Sequence, residues 1–372
     1  MTLVNVLVVM PLGEFGGGAE QMLATYLSAA RDRSNVVLHF LFLSDGSLAE
    51  TARNHKYAVK VIDVGRLRDT RKWLSSQVQI SRLIDDWEIN RVLAWMPKAG
   101  VYVTLPARKK GIPLYMWRHD IPRVLSGLDR WVIRFGRVQS VACSSVIALH
   151  ALRKSVPDVR SFAIHPAASQ LPASRERVTE IRRLLLGGEK GPIVGTIARL
   201  QPWKRIDLFL KAAAVLKQSL PGLRVVVVGG ETHGLSAGYG DELRRMGQEL
   251  LGEAVQFVGE QRQVGDWLQS MDLFVLPSQG EPFGIALVEA LLAGKPAVAC
   301  AGGGPEEIIT DGAIGCVVSS NPTPEQMAEA MKNLLDTGVI AKAQSVNAAV
   351  AASRFSPNKM AADIDLWLQD AL

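Results

Sequence analysis

The chain has 372 residues, 48% of them hydrophobic and 21% charged. That is enough to bury two sizeable cores and to build two or three domains. Its three cysteines, Cys143, Cys300 and Cys316, are too few and too far apart for a disulfide framework or a zinc site. They lie in or beside apolar runs, which points to buried thiols and a reducing cytoplasm. No apolar run reaches the ~18 residues of a membrane span. The net charge of +6 is uneven: residues 1–170 hold 23 Lys/Arg against 13 Asp/Glu, and the remainder holds 19 against 23. A basic first half beside an acidic second half suits an anionic surface or acceptor.

The first apolar run, Leu3 to Leu12, lacks a basic start and a cleavage site, so it reads as a strand, Val4–Met10, rather than a signal peptide. A glycine loop follows, Gly16-Gly17-Gly18-Ala19-Glu20, and opens a helix over 19–30. Glycines let backbone approach a phosphate, and a helix start supplies donors. Further strands are expected at Val36–Leu43, Lys60–Val64, Arg91–Met96, Pro113–Trp117 and Ser140–Ser144, separated by helical stretches. His119-Asp120 follows one of them, where a histidine can reach a sugar hydroxyl and Asp120 can orient it. Two basic amphipathic stretches, Arg66–Trp87 and Arg123–Arg137, suit either an ordinary surface helix or a helix lying on an anionic membrane.

A polar segment with helical character, Ala167 to Gly191, marks the domain boundary. Strands then recur at Pro192–Ala198, Arg224–Val228, Val255–Val258, Leu273–Leu276 and Ala297–Cys300. The loop after the first of these carries Arg199 and Lys204, two cations able to clamp a diphosphate. Neither Gly229-Gly230 nor the first glycine loop fits G-x-G-x-x-G, so a nicotinamide dehydrogenase is disfavoured. Gly294-Lys295 lacks the context of a P-loop. The densest motif is Glu281-Pro282-Phe283-Gly284-Ile285-Ala286-Leu287-Val288-Glu289, a loop after a buried strand that runs into a helix over 284–293, stopped by Gly294 and Pro296. Two carboxylates for hydroxyls sit there beside the amides of Phe283 and Gly284, which can take a phosphate. Asp363-Ile364-Asp365 imitates a D-x-D metal motif but falls in the last helix, away from any strand end, and reads as a solvated helix edge. No His/Cys/Asp cluster has metal spacing, and no nucleic-acid module is recognised.

The string E-P-F-G-x-x-x-x-E-A-x-x-x-G-x-P resembles the E-x7-E signature of retaining glycosyltransferases with the GT-B fold, the glycosyltransferase family 4-like group that includes glycogen synthases and bacterial lipid and polysaccharide sugar transferases. The resemblance extends to Gly17, Gly18 and Glu20, to His119-Asp120, to Arg199 and Lys204, and to Gly302-Gly303 with Glu307 in the segment ending Asp311-Gly312; Ser144 is a weaker match. It implies an α/β fold of two Rossmann-like, doubly wound domains facing across a cleft. Residues 1–170 form the acceptor-side domain, joined by a returning helix over 355–372, and residues 187–354 form the nucleotide-sugar domain.

By that resemblance, Arg199 and Lys204 hold the donor diphosphate, Glu289 the ribose, and Glu281 with the amides of Phe283, Gly284 and Ile285 the hexose. His119 touches the sugar, Gly18 lies near the donor phosphates, and Gly17 and Glu20 lie on the acceptor side. Glu307 serves as scaffold, and the loop Gly259–Gln263 meets the base largely through backbone. The implied reaction is metal-independent, retaining transfer of a hexose or N-acetylhexosamine from a nucleotide-diphosphate sugar, UDP favoured over GDP, to a lipid-linked, polysaccharide or small-glycoside hydroxyl. No cofactor is implied, because the nucleotide sugar is a substrate. The alternatives are a nucleotide-sugar 2-epimerase or phosphorylase of related fold, and a non-catalytic sugar-nucleotide binder.

Overall fold

The computed structural model describes residues 3–30, 35–65, 69–122, 124–231, 238–310 and 314–370. Arg66, Arg123, Asp311, Gly312 and Leu372, named above, lie outside the described residues. The chain divides into two compact units, Met1–Ala167 with Pro357–Leu372, and Ala168–Ser356.

The first unit is built on seven parallel strands: β1 (Val4–Met10), β2 (Val36–Phe42), β3 (Ala58–Val61), β4 (Arg91–Ala94), β5 (Leu114–Arg118), β6 (Ser140–Cys143) and β7 (Ser161–Ala163). Their spatial order is β3-β2-β1-β4-β5-β6-β7. The β1 sequence VNVLVVM is buried almost throughout, as expected of a parallel strand covered on both faces. Strand β3 starts two residues before the expected Lys60. The three-residue β7 at the sheet edge was too short to give a pattern.

On one face, Ile80, Leu83 and Ile84 from helix Thr70–Asp86 share a core with Tyr102 and Val103 of helix Pro97–Lys110 and Val132 and Ile133 of helix Gly127–Phe135. On the other, helix Gly18–Ala29 meets the returning helix Pro357–Leu368. Trp367 anchors that helix. It is buried, its indole N–H donates to Ser140 Oγ at 2.7 Å, and its ring meets Tyr115, Trp117 and Phe162 edge-on. The reading of Asp363-Ile364-Asp365 as a solvated edge holds only in part. Asp363 is tied to Lys359, but Asp365 is buried and accepts from the Tyr26 hydroxyl at 3.1 Å.

The second unit has six parallel strands: β8 (Ile193–Ile197), β9 (Arg224–Val228), β10 (Val255–Gly259), β11 (Leu273–Leu276), β12 (Ala297–Cys300) and β13 (Gly315–Val318), in the order β10-β9-β8-β11-β12-β13. Neighbouring residues point to opposite faces. Val194 thus joins a core with Phe209 and Met327, whereas Ile193 joins one with Leu287 and Phe355. The segment expected to be polar, with helical character, at the boundary does hold a helix, and that helix belongs to the second unit. Helix Arg175–Leu186 buries Ile181 and Leu185, and Arg182 grips Asp272 through both guanidinium nitrogens at 2.9 and 3.2 Å. Its polar residues face outward, which hid its membership of the second unit. Among the described residues no helix is long and apolar enough to cross a membrane.

Candidate functional site

In open parallel sheets ligands bind outside the carboxyl ends of the strands, where the strand order reverses. In the second unit that point lies between β8 and β11, which pair directly. The loop after β8 carries Arg199 and closes with a 3-10 turn, Pro202–Lys204, after which Arg205 takes a left-handed conformation with φ 51°. The Trp203 carbonyl accepts from the Gln279 amide at 2.8 Å, tying this loop to the one after β11. Lys204 Nζ lies 4.0 Å from the centre of the Trp203 ring and 2.6 Å from Glu281 Oε2. Both charged side chains are nearly enclosed, 13% and 10% exposed. The structure therefore joins two groups that the sequence reading gave separate duties.

Beyond Glu281 the chain turns at Gly284, whose φ of 108° disfavours any side chain, and enters helix Ile285–Leu292. The amides of Leu287 and Val288 turn back to the Gly284 carbonyl, leaving those of Ile285 and Ala286 at the open, positive end of the helix. The Phe283 side chain is buried against Phe355 with ring centres 5.5 Å apart, so the ring belongs to the core.

Glu289 follows one turn into the helix. Burial pushes its carboxyl up to about 7. A loop after β12 buttresses this arrangement. The Gly304 amide donates to the Glu281 carbonyl at 2.9 Å, and a Cβ on Gly303 would stand 1.9 Å from that same oxygen. Only glycine permits so close a backbone approach. Glu307 belongs to this support: its amide reaches Gly304 O and its carbonyl accepts from Arg354. Lys295 is structural, buried and donating to the Gln269 carbonyl at 2.9 Å. The Ser278 hydroxyl, just before Glu281, is buried with no hydrogen-bond partner among the described residues.

In the first unit the order reverses between β1 and β4. Gly17 caps the helix that Gly18 begins, and Glu20 is buried in its first turn. Trp95, which follows β4 and which no sequence motif flagged, joins this loop to His119. Its indole N–H donates to the Ala19 carbonyl at 2.9 Å, and its own carbonyl lies 2.8 Å from His119 Nε2. His119 also stacks on Trp117, with ring planes 3° apart. Burial lowers its pKa to about 4. It is therefore a neutral imidazole that donates through Nε2 and keeps a lone pair on Nδ1. The expected orienting role of Asp120 is corrected: its two oxygens take the buried Arg118 guanidinium at 3.2 and 2.8 Å. A buried cation demands a counter-ion more strongly than a neutral ring does. Ser144 accepts from the Trp117 indole at 3.3 Å and so supports the ring under His119.

Among the described residues no group of three or more His, Cys, Asp or Glu is placed to hold a metal. Residues 178–352 match a family model described as glycosyl transferases group 1. This stretch of the second unit is similar to the group 1 glycosyl transferases.

The chain as a whole has the GT-B fold. It superposes with a TM-score of 0.82 on Anabaena HepE, solved in complex with UDP and glucose, at 24% identity over 98% of this chain and 99% of that one. A sucrose-phosphate synthase from Thermosynechococcus elongatus gives 0.78 at 16% identity, covering 99% and 98%. By sequence, the D-inositol 3-phosphate glycosyltransferase of Mycolicibacterium smegmatis is 30% identical over 220 residues, 58% of this chain and 47% of that protein. Its Mycobacterium marinum counterpart is 34% identical over 162 residues, 43% and 34%. The matched region spans less than half the length of these curated relatives.

Proposed function

We propose that this protein is a retaining glycosyltransferase that moves a hexose or N-acetylhexosamine from a nucleotide-diphosphate sugar, UDP-linked in preference to GDP-linked, to an acceptor hydroxyl. A lipid-linked, polysaccharide or small-glycoside acceptor suits the reading, and no metal is required. The observation that carries it is the enclosed Lys204–Glu281 pair at the β8/β11 reversal, beside an open helix start and the perturbed carboxyl of Glu289. A cation, a carboxylate and the amides at a helix start so close together match the diphosphate, hydroxyls and phosphate oxygens of one nucleotide sugar. The relative solved with UDP and glucose supports the choice of donor.

In this account a donor parts the ion pair. Lys204 and Arg199 turn to the diphosphate, Glu281 accepts from hexose hydroxyls, and Glu289 accepts from the ribose. The amides near Phe283, Gly284 and Ile285 hold phosphate and sugar oxygens. Gly18 leaves room for the phosphates, and Gly17 and Glu20 serve the acceptor side. His119 accepts a sugar hydroxyl through Nδ1; at a pKa near 4 it is too weak a base to activate the acceptor. The acceptor oxygen attacks C1 on the face from which the diphosphate departs. The C1–O bond to phosphate breaks, the new C1–O bond forms, and the leaving phosphate oxygen takes the acceptor's proton. The two cations stabilise the negative charge that develops on the leaving group.

The test is to incubate UDP-hexoses with a panel of such acceptors and read the anomeric configuration of the product by NMR. An α-linked product supports the proposal. A β-linked product overturns retention, and 2-epimerised donor formed without acceptor would show the epimerase alternative instead.

A further inference from the structure

Three helices of the first unit, Thr70–Asp86, Pro97–Lys110 and Gly127–Phe135, lie side by side over one core. Their outer side is unlike an ordinary solvated surface. On the last helix Leu128, Trp131 and Phe135 fall at a spacing of three and four residues, which places them on one stripe. Leu128 is 51% exposed and Phe135 38%; Val124, just before the helix, is 79% exposed. The Trp131 and Phe135 rings stack at 5.2 Å, and the Arg108 guanidinium covers Phe135 at 4.3 Å. Exposed Arg130 and Arg134 run along the edge of this stripe, with Arg137 beyond its end. On the first helix Leu74, 59% exposed, and Val78, 51% exposed, repeat the pattern between exposed Arg71 and Arg82. Among the described residues none of these six arginines has a carboxylate partner.

We propose that this face docks onto an anionic lipid bilayer, with the helix Gly127–Phe135 lying in the plane of the headgroups. Aliphatic side chains held in water beside unneutralised arginines fit that partner twice over. The apolar stripe enters the acyl boundary while the guanidinium groups meet lipid phosphates, each contributing about 1 kcal/mol near a charged surface. A second copy of the chain fits worse, because a symmetric contact sets arginine against arginine. Nucleic acid would satisfy the arginines and leave Leu74, Val78, Val124 and Leu128 with nothing to bury against.

The inference stands apart from the transfer chemistry, and its test needs neither donor nor acceptor. The full chain is sedimented with vesicles of phosphatidylcholine alone and of phosphatidylcholine with phosphatidylglycerol, at low and high salt. Binding is expected to the anionic vesicles only, and to weaken at high salt. The double variant R130E/R134E should weaken it at least about tenfold, the scale of reversing two such charges. The variant V124S/L128S, with charge unchanged, should weaken it several-fold through lost apolar burial. The charge reversal R175E/R183E on the second unit should leave it intact, and the thermal midpoints of all variants establish that they fold. Absence of binding to anionic vesicles overturns the proposal. So does equal loss in R175E/R183E, or full binding by V124S/L128S.

Discussion

Glu289 offers a test in which stability and function move in opposite directions. Raising a carboxyl's pKa from 4.5 to about 7 sets about 3 kcal/mol against its ionised form, at roughly 1.4 kcal/mol per pH unit. Solvent at its partly exposed side reduces that to about 1–2 kcal/mol. The sign follows from linkage. Below pH 4.5 the group is protonated in folded and unfolded chains alike and carries no penalty. Between 4.5 and 7 the unfolded chain ionises first, and stability falls. Above 7 the full penalty is in place.

The substitution Glu289→Gln keeps the shape and cannot ionise. It should therefore match the wild type near pH 5 and exceed it by about 1–2 kcal/mol at pH 8, a few degrees in thermal midpoint. Donor binding should show the reverse. In the proposed complex ribose hydroxyls donate to the carboxylate form, so UDP affinity of the wild type should rise from pH 6 to 8, while Glu289→Gln binds weakly at both. Scanning calorimetry across pH gives the first result and titration calorimetry the second. If Glu289→Gln is no more stable than wild type at pH 8, the desolvation argument fails. If both proteins bind UDP equally, with no pH dependence, the ribose assignment fails.

Lys204→Ala and Glu281→Ala should each lower turnover by at least ~10²-fold, the scale of losing one transition-state contact, and each strands an enclosed charge. The double variant should therefore be more stable than the sum of the single losses predicts, with a coupling of about 0.5–3 kcal/mol in a thermal double-mutant cycle; strict additivity would deny the ion pair. The pH–rate profile should show no limb from His119 between pH 5 and 8, since its pKa is near 4; a limb near 6.5 that disappears in His119→Asn would contradict its burial. Trp367→Ala should cost about 3–5 kcal/mol in denaturant unfolding, and a loss below 1 kcal/mol would show that the returning helix is not anchored through this ring.

The features legible in the sequence were those that repeat or cluster along the chain. Apolar runs such as Val4–Met10 and Leu273–Leu276 announced the parallel sheets. Gly284 was legible as the start of a helix, but its positive φ was not. What stayed hidden depends on residues far apart in sequence. Trp95 looked like the end of a strand, and only folding shows it bonded to both Ala19 and His119. Asp120 was assigned to the histidine beside it because Arg118, two residues back, gave no sign that it would be buried. Asp365 looked solvated because nothing local points to Tyr26, 339 residues away. The Lys204–Glu281 pair spans 77 residues and joins two motifs that were each legible alone.

The central claim is a nucleotide-sugar site on the second unit, built from Arg199, Lys204, Glu281 and Glu289. Titration calorimetry with UDP, GDP and ADP, on the wild type and on Lys204→Ala, tests it most directly. The account predicts one-to-one binding of UDP in preference to the others, weakened at least tenfold in Lys204→Ala. Absence of binding by all three nucleotides, or undiminished binding by the variant, would contradict it.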